Sequence, residues 1–504
     1  MDNAHLIPDI LLHIPSFADK KTICQLMQTC RALNHYGAKD LLACYISLNT
    51  GSKQAVLSFL QFLARDIPYR LSHFRTLQLT RSASSLCPTA EAEEVGRLLE
   101  SLFILLARSG SLQSLNIDYV EVILDLETSD LSGAISMVGT LKSLHLSIVG
   151  HRAANMLMMS RSSLEDADIS MDEQYQDDGD LEHGEESELF RLDSRKLSHL
   201  LHGSRHSLRF LTVCGNGLGG AHVGPRYPRL ARLVHLFPDT LCMRNYVHAF
   251  PNLQDLVVSF SFDDFDLSTW DEFEQLRSEN VHEQADYAAW SSLWLFDGSI
   301  ATLFLLAPLC HIHALELTDE QNLSEQASKE LDMLRSCVDI ARPRHISLTS
   351  YSGRWLFDTA FLSTWTRPAL QSLVHIELVL SLCPNYGDGQ NTGPEVDLAR
   401  GLDNVVVHIV SVVRSLYSFS LSLDAAPERD PSPIAARPLG ALEQTLAEWD
   451  LDAFARRVRA AGAVGPLESV AIRLRRHRTR VEQTVQLGPV YTLGELRSVG
   501  ADVE

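Results

Sequence analysis

The chain has 504 residues, a hydrophobic content of 45% and a formal net charge of -21. That length suffices for a large core or an elongated array. The negative balance argues against nucleic acid or an anionic membrane as the main partner. No apolar run approaches the ~20 residues that a membrane helix needs. The N-terminus, MDNAHLIPDI, has an early acid and no basic region before its apolar part, so no secretory signal is read. Nine scattered cysteines without a C-x-x-C pair read as reduced thiols. Together these features place the protein in the cytoplasm, the nucleus or both. The sequon Asn322-Leu-Ser324 is accidental in that setting.

Residues 5–45 differ from everything that follows. Leu6 to Phe17 is a short apolar element, and Asp19 suits the N-cap of the next helix. Ile23, Leu26, Met27, Cys30 and Leu33 follow at helical spacing and form one apolar stripe. Leu41, Leu42 and Tyr45 suggest a third short helix. A unit this small is marginal by itself and leans on a neighbour or a partner.

Beyond it, one phrase recurs: apolar-x-x-apolar-x-apolar. It appears as Phe74/Leu77/Leu79, Leu112/Leu115/Ile117, Leu141/Leu144/Leu146 and, weakly, Leu164/Ala167/Ile169. Its fullest form is Leu208-x-x-Leu211-x-Val213-x-x-Asn216-x-Leu218, the leucine-rich-repeat signature with Val in the third slot. Leu253/Leu256/Val258 and Ile312/Leu315/Leu317 follow, then Ile346/Leu348 with Pro343 in place of a first member. Leu373/Ile376/Leu378, Leu416/Phe419/Leu421 and Leu467/Val470/Ile472 complete the series. Residues two apart point to the same face of a strand. The second-slot residues are therefore expected on adjacent parallel strands facing one core.

Helix-like segments separate the phrases, at 91–108, 189–203, 229–237, 324–340, 398–415 and 441–461. The expected fold class is α/β, a leucine-rich-repeat solenoid over 46–480 with irregular, long repeats. Long steps, such as the 59 residues from Leu256 to Leu315, call for insertions. Three are assigned. Residues 171–188 hold nine carboxylates and no Lys or Arg, an acidic loop expected to be exposed. Residues 260–297 are rich in acids and aromatics, and 383–397 read as a loop. A Pro-rich break at 426–438 precedes the last helix and strand. Residues 481–504 form a capping segment, in which Val481 to Leu487 closes a hairpin.

Gly215-x-Gly217-x-x-Gly220 superficially matches a dinucleotide fingerprint, but Gly224, Pro225 and Pro228 interrupt the helix which that motif requires. The acids around Asp177–His183 lack the fixed spacing of a calcium loop. No G-x-S-x-G, H-E-x-x-H or phosphate-binding loop is present. The twenty histidines are dispersed, and none pairs with a nucleophile in sequence. No catalytic residue, cofactor site or metal site is therefore assigned. Arg473, Arg475, Arg476, Arg478 and Arg480 read as the solvated face of the terminal hairpin, or as a site for an acidic partner or for the chain's own acidic loop. Trp270, Phe273, Trp290 and Trp294 are candidate substrate-binding residues, because aromatic side chains dominate binding hot spots. The same residues could equally pack a helix against the solenoid.

The stretch LIPDILLHIPSFADKKTICQLMQTCRALN resembles an F-box, and the whole chain resembles fungal F-box proteins with C-terminal leucine-rich repeats. Leu6, Asp9, Ile10, Leu11, Ile14 and Phe17 fall on that family's first-helix pattern. The Cys30-Arg31 pair matches the end of its second helix. The family's Leu-Pro opening is displaced to Leu6 and Pro8, and Pro15 and Ala18 stand where leucines are usual. A proline inside a helix costs ~3 kcal/mol, so the first helix is expected to be short or kinked at Pro15. The resemblance implies a substrate-recognition subunit of a Skp–cullin–F-box ubiquitin ligase. Leu6, Pro8, Ile10, Leu11, Ile14, Phe17, Ile23, Leu26, Met27, Cys30 and Leu33 would then meet a Skp-type adaptor, and through it a cullin scaffold. The concave strand surface would hold an unknown protein substrate. The alternative is a non-catalytic scaffold or inhibitor with no ligase role, in which residues 5–45 serve as an N-terminal cap.

Overall fold

A computed structural model describes residues 13–81, 89–126, 130–171, 197–215, 218, 224–238, 240–260, 270–287, 289–319, 327–350, 353–381, 397–424, 441–462, 465–475 and 481–491. The chain forms two compact units: Met1–Thr240 with Asn245–Leu253, and Leu241–Arg244 with Gln254–Glu504.

In the first unit the strands are β1 (Ile46–Asn49), β2 (Thr76–Thr80), β3 (Ser114–Ile117), β4 (Ser143–Val149), β5 (Asp166–Met171), β6 (Phe210–Cys214) and β7 (Arg232–Leu236). Each pairs with the next in parallel. Their register aligns the repeated phrase. Ile46, Leu77, Leu115, Leu144, Ala167, Leu211 and Leu233 are successive partners, and Leu48, Leu79, Ile117, Leu146, Ile169, Val213 and His235 form a second row. Apart from half-buried Ile46, both rows are buried. A one-residue slip would turn every one of these side chains to the other face, so burial fixes the register.

The second unit repeats the arrangement with β8 (Asp255–Ser259), β9 (Ser292–Ser299), β10 (His311–Thr318), β11 (His345–Ser350), β12 (His375–Ser381), β13 (Ser418–Asp424) and β14 (Ser469–Leu474). Leu256, Phe296, Leu315, Ile346, Ile376, Phe419 and Val470 are the matched second-slot residues, all buried. β15 (Gln483–Leu487) pairs antiparallel with β14 and closes the hairpin expected from the sequence. The fold is mixed α/β and solenoid-like, with parallel strands joined through helices such as Thr89–Ser109 and Ala327–Ala341.

Three differences from the sequence reading are instructive. The segment 229–237, expected as a helix, contains β7. Its phrase is Leu230/Leu233/His235, and the histidine in the third slot concealed it. Residues 260–297 are not simply an insertion, because they contain the helix Trp270–Asp286 and most of β9. There the phrase is Leu293/Phe296/Gly298, hidden by the glycine. That glycine is required: a Cβ at Gly298 would lie 2.6 Å from the Val258 carbonyl oxygen. Finally, 441–461 is two helices, Ala441–Glu448 and Leu451–Ala461, the second capped by Asp450, which accepts from the Ala453 N–H. Asn216, the acidic loop 172–188 and the loops at 383–396 and 426–438 lie outside the described residues.

Polar side chains tie repeat to repeat within each unit. Thr140 Oγ1 donates to the Leu112 carbonyl at 2.7 Å, Ser162 Oγ to Val138 at 2.6 Å, and Ser415 Oγ to Leu373 at 2.7 Å. Asn280, fully inside, donates to the Leu241 and Leu305 carbonyls, each at 2.9 Å, and accepts from the Met243 N–H at 2.7 Å. These bonds satisfy backbone groups that turns leave open, which burial would otherwise penalise.

Candidate functional site

The N-terminal helices are the first place to look for a partner surface. Ile14–Phe17 is a 3-10 turn with Pro15 in its first positions; residues 1–12, over which the sequence places the start of the first helix, lie outside the described residues. Lys20–Met27 and Arg31–Ala43 follow, the first capped by Asp19, whose carboxylate accepts from the Thr22 N–H at 2.7 Å. Ile23, Met27 and Ala38 form one cluster, against which Ala18, Leu41 and Phe62 pack. Close approach depends on Gly37, where a Cβ would meet Met27 Cγ at 2.8 Å. Ile23, Met27 and Leu33 are buried, which corrects their assignment as contact residues: they are core. Phe17 is 88% exposed, Cys30 is exposed, and Ile14 and Leu26 are half-buried. Leu6, Pro8, Ile10 and Leu11 lie outside the described residues.

This helical unit leans on its neighbours in the chain. The buried Arg70 guanidinium donates to Asn34 Oδ1 at 2.8 Å and to the Phe62 carbonyl, and it lies 4.1 Å from the Phe62 ring centroid. The Asn34 amide in turn donates to the Met27 carbonyl at 3.0 Å. His35 stacks on Tyr69 with centroids 3.9 Å apart.

The aromatic candidates of 260–297 separate into two groups. Phe273 and Trp290 are buried, so neither is a contact residue, and packing explains them. Trp270 is half-buried, stacked between Phe273 and Phe304 at 6.2 and 6.0 Å, with the Lys329 ammonium 4.9 Å from its ring. It seats its helix on the next one. Trp294 lies on β9 and is half-buried.

Around Trp294 the structure assembles a row that dispersed histidines did not suggest. Trp294 stacks on His313 at 5.3 Å and lies 6.3 Å from His345, which lies 6.2 Å from His375. His345 and His375 are register partners on β11 and β12. A legible signal existed: His-Ile-x-Leu occurs at both 345 and 375, with the histidine just ahead of the second slot. Strand alternation sends these imidazoles to the face opposite the Ile346 and Ile376 core. Burial pushes His345 down to about 4, helped by the neighbouring charges of His375, Arg344 and His313. Burial also lowers His375, against a smaller opposing pull from Glu377. Both rings are therefore neutral near pH 7. On the same face Ser347 Oγ donates to Glu377 Oε2 at 3.1 Å.

The first unit has its own polar strand face. His145 Nδ1 lies 2.8 Å from Asp168 Oδ2 on the adjacent strand, and Gln78 Nε2 donates to Asp118 at 2.9 Å. At the end of the chain, Arg473 donates to Glu482 across the hairpin at 2.8 Å, and Arg475 to Asp424 at 2.9 Å. Two arginines of the terminal cluster are thus engaged within the chain. The others, Arg476, Arg478 and Arg480, lie outside the described residues. Burial raises the Cys337 thiol to about 12, which leaves it unreactive. Among the described residues no group of three or more His, Cys, Asp or Glu is placed to hold a metal ion. Among them, too, no helix is long and apolar enough to cross a membrane. Compared with known proteins, the chain matches no family model and no curated relative.

Proposed function

We propose that the chain is a non-catalytic substrate-recognition subunit of a Skp–cullin–F-box-type ubiquitin ligase. In this reading an F-box-like helical module binds the adaptor, and a leucine-rich-repeat solenoid binds a protein substrate. The observation that carries it is Phe17. It stays 88% exposed on a helical unit that buries Ile23, Met27 and Leu33 in its own cluster or core. Leaving a phenylalanine in water forgoes ~1.5–3 kcal/mol of burial, a sacrifice that an interface would explain. Leu26 and Ile14, half-buried, would extend the same apolar surface, and Leu6, Pro8, Ile10 and Leu11 precede it in sequence. Parallel strands with side chains in register supply a second surface, suited to one partner contacting several repeats.

A second reading has its own support. The Arg70–Asn34–Met27 chain of hydrogen bonds braces the helices against the chain that follows, as a scaffold's N-terminal cap would require. Co-purification of the full chain with a Skp-type adaptor separates the two. Retention of the adaptor supports the receptor, and its loss at micromolar concentration supports the scaffold.

A further inference from the structure

We propose that an arginine patch around Phe210, at the start of β6 and β7, docks a short acidic segment of a protein partner. This deepens the receptor reading above, on which it rests for the role of that segment as substrate.

The first observation is charge. Asp and Glu make up 64 of the 504 residues, yet residues 194–238 contain none and hold seven Lys or Arg. Within this stretch Arg209, Arg226, Arg229 and Arg232 are exposed. Among the described residues no carboxylate forms an ion pair with any of the four. Other arginines of the chain find acids: Arg152 meets Asp125, Arg367 meets Asp339, and Arg475 meets Asp424. Two acids border the patch and both are already engaged. Glu165, whose charge Arg209 feels, is held by Lys142 at 3.1 Å. Asp166, across Phe210 from Arg232, accepts from Ser143 Oγ at 3.2 Å.

The second observation is how the arginines are held. Arg226, Arg229 and Arg232 recur at every third residue and alternate with buried Tyr227, Leu230 and Leu233, so the three charges share the solvent side of their segment. Backbone bonds pin that segment. The Tyr227 N–H donates to the Ala249 carbonyl at 2.7 Å, and Asn252 Nδ2 donates to the Pro228 carbonyl at 2.9 Å. The Arg209 carbonyl accepts from the Ala231 and Arg232 N–H groups at 2.9 and 3.2 Å. Like charges are thus anchored close together, and a pre-ordered backbone lowers the entropy cost of binding. Guanidinium groups take carboxylates through two parallel hydrogen bonds.

The third observation is independent of charge. Phe210 is 49% exposed on the strand face, in a row whose other members are Thr76, Ser114, Ser143, Asp166 and Arg232. An open aromatic ring beside arginines has the composition of an interface hot spot. The fit is to a short segment that sets acids on the arginines and an apolar side chain on Phe210. A nucleic acid or an anionic membrane extends past the patch and meets the rest of a chain whose net charge is -21. Screening beyond ~8 Å at physiological salt spares a short segment that repulsion.

The test uses the full chain and a decapeptide of Glu and Asp with one central Phe, labelled with a neutral fluorophore and followed by anisotropy at physiological ionic strength. Arg226→Gln with Arg229→Gln and Arg232→Gln should weaken binding at least ~tenfold, about 1.4 kcal/mol. Arg65→Gln with Arg97→Gln and Arg108→Gln, exposed positions on helices of the same unit, removes the same formal charge and should change affinity less than ~twofold. Phe210→Ser keeps every charge and matches Ser114 and Ser143 in its row, yet should also weaken binding, which general attraction would not produce. Arg229→Gln alone serves if the triple variant loses its circular dichroism. Equal loss in the Arg65/Arg97/Arg108 control overturns the proposal. So does wild-type affinity in either site variant, no peptide binding by the wild type, or tighter binding of a labelled decauridylate than of the peptide. Peptide binding that appears only after the nine carboxylates of 171–188 are changed to Asn and Gln gives the patch to the chain's own loop and overturns it as well. Adaptor capture is read on the same preparation. Capture without peptide binding removes this proposal alone, and peptide binding without capture removes only the ligase role.

Discussion

The His235 Nδ1 lies 2.7 Å from the Tyr246 hydroxyl, and its Nε2 lies 3.1 Å from the Gly215 carbonyl oxygen. The carbonyl can only accept, so the ring proton sits on Nε2, and Nδ1 accepts from the tyrosine. A histidine 2% exposed thus fills the row that Leu48, Leu79, Ile117, Leu146, Ile169 and Val213 fill in the other strands of this unit.

That arrangement sets an acid limit on stability. Burial pushes His235 from 6.5 to about 4, so between those values the unfolded chain binds a proton that the folded chain refuses. Stability then rises with pH across this window, is fully present above about pH 6.5, and is lost as pH falls toward 4. The magnitude is about 3 kcal/mol. Urea midpoints measured from pH 7.5 to 4.5 should fall less steeply in His235→Leu than in wild type. Tyr246→Phe should cost about 1–3 kcal/mol at pH 7.5, because it strands the Nδ1 acceptor.

Glu121 caps a helix that belongs to the next repeat. Its carboxylate accepts from the Gly150 and Ala153 N–H groups, each at 2.8 Å, and from Arg152 N–H at 3.2 Å, at the start of His151–Met159. Glu121→Ala should lower unfolding free energy by about 1–2 kcal/mol. Glu121→Gln should keep part of it. Equal stability of Glu121→Ala and wild type in urea would show that the backbone groups find other partners.

Asn280 makes three buried hydrogen bonds to backbone. Replacing it by Leu leaves two carbonyls and one N–H without partners, at about 1 kcal/mol or more each. A loss near 3 kcal/mol is expected, with protease sensitivity appearing first around residues 240 and 305. Substitution at Gly298 should be comparably severe, because even Ala drives a methyl into the Val258 carbonyl.

The repeat was legible because its two main slots must face one core, which forces apolar residues two apart at Leu77/Leu79 and again through Val470/Ile472. Where the core accepts something else, the phrase fails: His235 is tolerated because Tyr246 and Gly215 satisfy it, and Gly298 because a carbonyl presses against it. β1 escaped notice because the first slot ahead of Ile46/Leu48 holds only a small residue, Ala43, which is the last residue of the helix Arg31–Ala43. At the candidate site, spacing put Ile23, Met27 and Leu33 on one stripe but did not tell core from interface. For Ile23 and Met27 that distinction depends on Ala38 and Leu41 of the helix Arg31–Ala43, which also carries Leu33, and on Phe62 of the helix Lys53–Ala64. The row of Trp294, His345 and His375 depends on register between strands some 30 or more residues apart, which no local pattern reveals.

The receptor reading turns on two apolar side chains left open to solvent, Phe17 and, in part, Leu26. The decisive measurement is the affinity of a Skp-type adaptor for the purified full chain and for Phe17→Asp with Leu26→Asp, by titration calorimetry, with folding checked by circular dichroism. Each anchor is worth ~1.5–3 kcal/mol when buried, so the variant should bind at least ~100-fold more weakly. The expected result is submicromolar binding by the wild type and none detectable by the folded variant. No heat of binding from the wild-type chain at micromolar concentration, or equal binding by the folded variant, would contradict the assignment of this surface to an adaptor.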